Sequence, residues 1–549
     1  MTTQQNCKNR PSGFSSQYRR KESRGEKRRK MVASATTTVL SAGTVEVGSP
    51  GLRKDAPPAA APEAETRKRE KPFVFGSTDK YIAAKDALAE KAMLAAVLVA
   101  FQLVLLLQKV AGLGPLFAAM PVFMFLIGSE WMIQSVSNFH SAAARYTVAG
   151  LICSVSAGVV QQIGGVLLKK GFLIFGNYPY ELLYERIGTP MGGLVTQRIL
   201  ALVFQDLCYY WSHRCYHQIE VGWMFHAIHH NNDHYNFAVA LRQSWGNQLS
   251  SWIFYLPLAL FIRPDALQWA AEWNLIYQFW VHTCLVRRCP DWVEYLLSTP
   301  SHHRVHHDRR LHKNFAGIFI FWDRMFGTFL SEVKVGSEVR IAQEGGDLTR
   351  LEDGEEVSVF GTMANQENYL VDLLQLQHPL RTLRTMSKAK TLRAKLKVAM
   401  EGAGFYSAVH KDRGIMPRVG VPVTRRIRFA SSYSALGNTY VLVHFTIAVL
   451  QFILTSVSPD LLGQSFAGVS AAYLPVLVCL CSLARLSDGG KHAPFAEALR
   501  CFWAASCVTD RTAAAGSAAF HFYLFSGLVA IFNPEWLRAN KVVRPVKTN

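Results

Sequence analysis

The chain has 549 residues, half of them hydrophobic and only 18% charged, with a formal net charge of +20; a charged share this far below the roughly 25% of soluble proteins points to membrane residence. The positive excess sits in two stretches: residues 1 to 72 hold sixteen Lys/Arg against seven Asp/Glu, and residues 379 to 428 hold thirteen against two. No basic groove with interleaved aromatics is left elsewhere, which excludes nucleic acid as a partner and suits basic segments lying on an anionic leaflet.

In chain order, residues 1 to 80 form a basic, Pro/Ala-rich tail (Arg19-Arg20-Lys21, Lys27-Arg28-Arg29-Lys30, Pro57-Pro58) with nothing to bury a core, expected to be disordered. Residues 81 to 335 open with apolar spans at Met93–Val110, Pro115–Ile133 and Tyr146–Leu168, and a shorter fourth at Arg198–Trp211. If the basic tail is cytosolic, four crossings return the chain to that side just before its densest histidine region. Glu130, a carboxylate near the end of an apolar span, is a functional candidate by default. Leu249–Ile262 and Leu267–Leu285, separated by Pro264, read as a shallow hairpin whose return leg delivers His282. Residues 336 to 435 are polar and then basic, a cytosolic segment by this topology; residues 436 to 549 add apolar stretches at Tyr440–Val457, Gly468–Leu486 and Phe520–Phe532. The expected fold is all-α: a multi-pass membrane protein of seven to nine spans with a cytosol-facing, histidine-rich dimetal site. The ten cysteines include no C-x-x-C pair, which gives no sign of a zinc ribbon or a redox dithiol.

Between His213 and His312 lie twelve of the eighteen histidines. They fall in blocks: His213 and His217; His226, His229 and His230; a lone His282; and His302, His303, His306 and His307. Spacings of three and four place imidazoles on one face of a helical turn, where several can reach one ion. No H-E-x-x-H string is present, so a zinc protease is excluded. A bis-histidine haem needs far fewer nitrogens, and a structural zinc site closes with four ligands, often thiolates. Nine or ten imidazoles suit two metals, with iron favoured for its open positions toward O₂. His234 and His312 lie outside the blocks and read as polar or supporting residues. Asp206 and Tyr210 share a helical stripe with His213 and His217, which places Asp206 to hydrogen-bond a ligand imidazole; the alternative is an ordinary interfacial acid.

The run from Asp206 to His217, the block from His226 to His230, Tyr235-Asn236, Ala240-Leu241-Arg242-Gln243-Ser244, Gln278-Phe-Trp-Val-His282-Thr, the stretch Thr299 to His307, Asn314-Phe-Ala-Gly317 and Trp322-Asp-Arg-Met-Phe-Gly-Thr-Phe329 resemble the fatty acid hydroxylase superfamily of membrane diiron enzymes. Strong resemblance runs from about 195 to 332. It implies two irons held by the ten histidines from His213 to His307 named above, in the endoplasmic reticulum membrane with the site facing the cytosol. Ala240 to Ser244 and Thr299 to His307 point within it to the branch acting on glyceryl ethers. That branch hydroxylates the carbon beside the ether oxygen of an alkylglycerol, releasing fatty aldehyde and glycerol, with O₂ and tetrahydrobiopterin as cosubstrates. The histidine spacing alone is shared with sterol and fatty-acyl oxidases fed by cytochrome b5, which are the nearest rival; a catalytically silent lipid-binding membrane protein is the second. The sequence departs from the family at Gln218, where a Glu is usual, at Asp233-His234 in place of an acidic pair, at Phe315 in place of Tyr, and in a short His307 to Asn314 connection.

Overall fold

The computed structural model describes residues 84–137, 144–171, 178–249, 251–308, 311–332, 360–362, 368–400, 428–508 and 511–544. The expected tail, 1 to 80, and most of the polar segment between 336 and 435 lie outside the described residues. Among the described residues the fold is all-helical apart from one two-stranded antiparallel ribbon, β1 (Arg428–Ser432) against β2 (Asn540–Arg544), with Arg428 opposite Arg544.

Among the described residues six helices are long and apolar enough to cross a membrane. They belong to α1 (Ala84–Ala111), α2 (Pro115–Val136), α3 (Val148–Gly171), α11 (Ala435–Val457), α12 (Phe466–Ser487) and α14 (Ala514–Phe532). Their boundaries follow local chemistry. Gly112 takes a left-handed φ of +66°, which ends α1, and Pro115 sets the first turn of α2. Ser434 and Ser465 cap α11 and α12, each accepting from the amide three residues on. Buried residues of α1, α2, α3, α11 and α12 share one hydrophobic core.

The fourth expected span is corrected. The helix exists, as α5 (Leu194–Gln218), yet it is not among the six apolar ones, because its packed face carries Gln197, Gln205, Asp206 and Ser212 beside the histidines. Three helices apolar enough to cross therefore precede the histidines, and six rather than seven to nine occur among the described residues. The shallow hairpin is replaced by short turns over 245–260 followed by α7 (Pro264–Trp280), which ends two residues before His282.

The site is built by α5, α6 (Glu220–His230), the turn after α7, and α8 (Pro300–His307). Glu130 of α2 knits this region to the membrane helices: its carboxylate accepts from Tyr146 Oη (2.5 Å), the Phe237 amide (2.9 Å) and Thr283 Oγ1 (2.5 Å), next to His282. The apparent anomaly of a buried acid is thus a satisfied hub. Two helices outside the apolar set, α9 (Val371–Lys388) and α10 (Leu392–Met400), pack behind α6, and α13 (Ala493–Ser506) packs between α12 and α14.

Candidate metal centre

Nine of the expected histidines gather into two adjoining nests. One nest holds His213, His217, His226, His230 and His306; the other holds His229, His282, His303 and His307; within each, the ligand nitrogens lie within 4.8 Å of one another. Helical spacing explains the sorting. On α6, His226 and His230 are four apart and serve the first nest, while His229 points to the second; on α8, His303 and His307 serve the second nest and His306 the first. Each of these helices therefore feeds both nests. The rings of His230 and His307 stack at 4.3 Å where the nests meet.

Nitrogen to nitrogen, the Nε2 atoms of His213 and His226 are 3.1 Å apart, His226 and His230 3.2 Å, His282 and His303 3.0 Å, and His303 and His307 3.2 Å. Imidazoles that each sit roughly 2.1 Å from a shared ion have ligand edges of about 3.0 to 3.4 Å, so these separations fit coordination. The Nδ1 side is spoken for by backbone: His213 donates to Phe315 O (2.7 Å), His229 to Arg242 O (3.2 Å), His282 to Gln278 O (2.7 Å) and His306 to Lys313 O (3.1 Å). A proton fixed on Nδ1 leaves the Nε2 lone pair facing inward, the tautomer a metal requires. Burial pushes His213 down to about 4 and His282 to about 3, and holds the others well below the usual imidazole value. Both ring nitrogens of His217 and Nε2 of His306 are buried without a hydrogen-bond partner. Nine neutral imidazoles crowded lone pair to lone pair, with such orphans among them, fit a site that holds cations.

His302 stands apart from both nests; its Nε2 lies 3.0 Å from Glu294 Oε2, and its ring packs on Phe329. Glu294, reached also by Thr299 and Ser301 hydroxyls, thus anchors the start of α8. His312 lies against the ring of His217 at 5.2 Å, and burial lowers it to about 3. Arg304 anchors the helix on its far side: its guanidinium donates to Thr283 O, Val286 O and Arg287 O and to Glu332, tying α8 to the His282 turn.

Asp206 does not meet an imidazole, contrary to the expectation from the stripe. Its carboxylate accepts from the amides of Ile318 (2.8 Å) and Phe319 (2.9 Å) and from Asn274 Nδ2 (2.7 Å). Gly317 makes this possible, since a Cβ there would stand 2.7 Å from Asp206 Oδ1. Asp323 holds the same loop through the Phe315 and Ala316 amides, both at 2.8 Å, and burial raises it to about 6. Asp206 thus acts on His213 at one remove, by fixing the loop whose Phe315 carbonyl receives the His213 proton. Tyr210 is likewise a positioning group: its hydroxyl meets Thr328 Oγ1 at 2.9 Å and accepts from Arg214 at 2.9 Å. Asn314, with φ of +58°, tethers the loop's start to His302 O and Leu330 O. Gln218 ends α5 half-buried, and the nearby Glu220 accepts from Thr382 of α9 at 2.7 Å.

A cavity of about 440 Å³ reaches the centre through His213, His226 and His282. It runs along α7 from Pro264 to Phe279, about 23 Å at the helical rise, and on to His282. Apolar side chains of three membrane helices, including Met120, Phe123, Val159 and Phe452, line it, while Tyr209, Gln278, Asn274, Gln243 and Asn247 give its walls a polar component. Tyr209 donates to Gln278 Oε1 at 2.6 Å, and its ring lies 5.1 Å from that of His213.

Residues 198–328 match the fatty acid hydroxylase family. The chain is 43% identical over 190 residues to alkylglycerol monooxygenase of Danio rerio, covering 33% of this chain and 41% of that protein. It is 30% identical over 354 residues to alkylglycerol monooxygenase of Homo sapiens, covering 64% of this chain and 73% of that protein. An ornithine lipid hydroxylase of Rhizobium tropici is 27% identical over 144 residues, 24% of this chain and 41% of that protein. No solved structure matches. With the human protein matched over nearly three quarters of its length and the fatty acid hydroxylase pattern falling on the helices that build both nests, the chain belongs to the alkylglycerol monooxygenase family.

Proposed function

We propose that this protein is a membrane diiron monooxygenase that hydroxylates the ether-adjacent carbon of glyceryl ether lipids. Insertion of one oxygen atom there gives a hemiacetal that collapses to a fatty aldehyde and glycerol, the second oxygen atom leaving as water with two electrons from tetrahydrobiopterin. The observation that carries this reading is the pair of histidine nests opening through His213, His226 and His282 onto a largely apolar cavity between membrane helices. His213, His217, His226, His230 and His306 would hold one iron and His229, His282, His303 and His307 the other. Bound iron supplies the activation of O₂.

The chain's own residues do the rest. The apolar walls along α7 accept an alkyl chain from the bilayer and keep water from it. Tyr209 and Gln278 offer hydroxyl and amide groups in the same cavity, suited to the glycerol oxygens that adjoin the reacting carbon. The phenylalanine and arginine carbonyls at 315 and 242 fix the imidazole tautomers. The proposal includes an endoplasmic reticulum location with the centre facing the cytosol, where soluble pterin arrives.

The test uses purified full-length protein in detergent, with iron counted per chain and aldehyde release from an alkylglycerol followed with and without tetrahydrobiopterin. Two irons and pterin-dependent aldehyde are expected. Absence of pterin-dependent release sinks the reading, and oxidation of sterol or fatty-acyl substrates driven by cytochrome b5 would replace it with the neighbouring branch of the superfamily.

A further inference from the structure

The helix that backs α6 has an outward face that does not suit water. The inner face of α9, formed by Val371, Leu374, Gln375, His378 and Thr382, is buried. Gln375 Nε2 donates to Gln243 O at 3.0 Å, Thr382 Oγ1 to Glu220 Oε1 at 2.7 Å, and Asp372 pairs with Arg485 at 3.0 Å. α9 is therefore seated firmly against the helix that carries three of the nine nest histidines. At 3.6 residues per turn, Leu373, Leu376, Leu380 and Leu383 fall on the side opposite that seat. All four are exposed, at 47, 41, 48 and 55%. After a short turn, α10 presents Leu392, Leu396 and Met400 at successive fourth positions, exposed at 72, 54 and 57%. A solvent-facing helix carries polar residues there, and a continuous apolar stripe marks an interaction surface.

Charge identifies the occupant. Residues 371 to 400 contain seven Lys/Arg and a single acid, Asp372. Arg381, Arg384 and Lys388 are exposed and lie along one edge of the leucine stripe of α9. An apolar stripe edged by cations, in a chain whose other helices cross a bilayer, fits an interfacial helix on an anionic lipid surface. A second copy would bring two strongly positive faces together, which like-charge repulsion opposes.

We propose that the outward face of α9 and α10 docks on the anionic leaflet of the bilayer, with the leucines among acyl chains and Arg381, Arg384 and Lys388 against lipid phosphates. Docking then clamps α9 over α6, so lipid composition bears on the stiffness of both nests. The inference does not depend on which lipid is oxidised.

The experiment places benzoylphenylalanine at position 376 or 383 of the full-length, iron-loaded protein, in nanodiscs of phosphatidylcholine with or without phosphatidylserine. After irradiation, adducts are read by mass spectrometry. Lipid adducts at both positions are expected, several-fold more abundant with phosphatidylserine, with that excess lost in the Arg381→Gln, Arg384→Gln, Lys388→Gln variant. Unchanged iron content and size-exclusion behaviour of the variant show that it folds. Absence of lipid adducts, adducts between two chains, or adducts indifferent to both phosphatidylserine and the triple variant would each overturn the proposal.

Discussion

Two regions of this molecule gather buried side chains of metal-ligand type, nine histidines in one and a His, a Glu and a Cys in the other, and they do opposite things with them. In the centre formed by α5 to α8, the imidazoles face one another, and His217 and His306 keep unpartnered nitrogens. In the C-terminal helices, His444, Glu497 and Cys501 also converge within ligand distance. There the Arg500 guanidinium occupies the middle: it pairs with Glu497 and donates to His444 Nδ1 at 3.0 Å and to Cys501 Sγ at 3.0 Å. Glu497 further accepts from Tyr440 (2.9 Å) and Ser482 (2.6 Å). Accepting from arginine uses up the His444 Nδ1 lone pair, so its unpartnered Nε2 carries the ring proton rather than a free lone pair, and the same guanidinium neutralises the carboxylate. Proximity of ligand types is therefore a weak sign of a metal; uncompensated lone pairs are the stronger one.

The sharpest way to break this comparison is to remove one histidine from each region. His306→Ala takes from the first nest the only ligand that α8 gives it. Supporting groups of metal ligands already cost roughly 10 to 100-fold when mutated, so loss of a ligand itself is expected to cost more than about 100-fold in aldehyde release. Iron falls below two per chain. His444→Ala leaves iron unchanged. Retention of both irons in His306→Ala, or loss of one in His444→Ala, reverses the assignment of the two regions.

Removal of metal tests the same contrast without mutation. Removing bound metal would leave nine imidazoles crowded without a compensating cation, so amide hydrogen exchange should rise in α6 and α8 and in the loop from Asn314 to Phe319. The C-terminal helices, whose charges are compensated by protein groups, should keep their protection. Equal loosening of both regions would show that the centre is not a separate metal-dependent unit.

The third effect is on stability and appears in the other region. Breaking a buried pair from one side leaves an uncompensated charge and costs about 3 to 5 kcal/mol. Arg500→Met strands Glu497, so the thermal midpoint should drop clearly while iron per folded chain stays at two. The double change Arg500→Met with Glu497→Leu should recover much of the loss. Loss of iron in the single variant would tie the C-terminal core to the centre.

Much of the centre was legible in the sequence because helical spacing is a local code: the i, i+4 pairs on α5, α6 and α8 face one ion wherever those helices go. What spacing could not convey was the support. Carbonyls of Phe315, Arg242, Gln278 and Lys313 orient the rings, and a carbonyl has no residue signature. The stripe shared by Asp206 and His213 pointed to a direct contact, but a loop more than a hundred residues away claimed the carboxylate, admitted by the missing side chain of Gly317. The fourth apolar span failed for a related reason. Arg198–Trp211 is apolar enough to suggest crossing, yet the polar residues interleaved within it form the packed face on which the centre is built. Glu130, suspected of function because it is a carboxylate near the end of an apolar span, turned out to be satisfied by three donors, two of them brought from more than a hundred residues along the chain.

The smallest expected effect sharpens the role of the cavity rather than that of the metals. Tyr209 and Gln278 face the same space as His213 and His282, and the backbone of Gln278, not its side chain, receives the His282 proton. Tyr209→Phe therefore removes a hydroxyl from the cavity without touching a ligand or its support. A hydrogen bond of about 1 kcal/mol corresponds to a roughly five-fold change in affinity. If Tyr209 helps to hold the glycerol oxygens, KM for the alkylglycerol should rise by about that factor with kcat and iron content unchanged. An equal fall in kcat and kcat/KM at constant KM would instead mean that the hydroxyl acts only as the reacting carbon changes, and Tyr209 would then belong with the chemistry rather than with recognition.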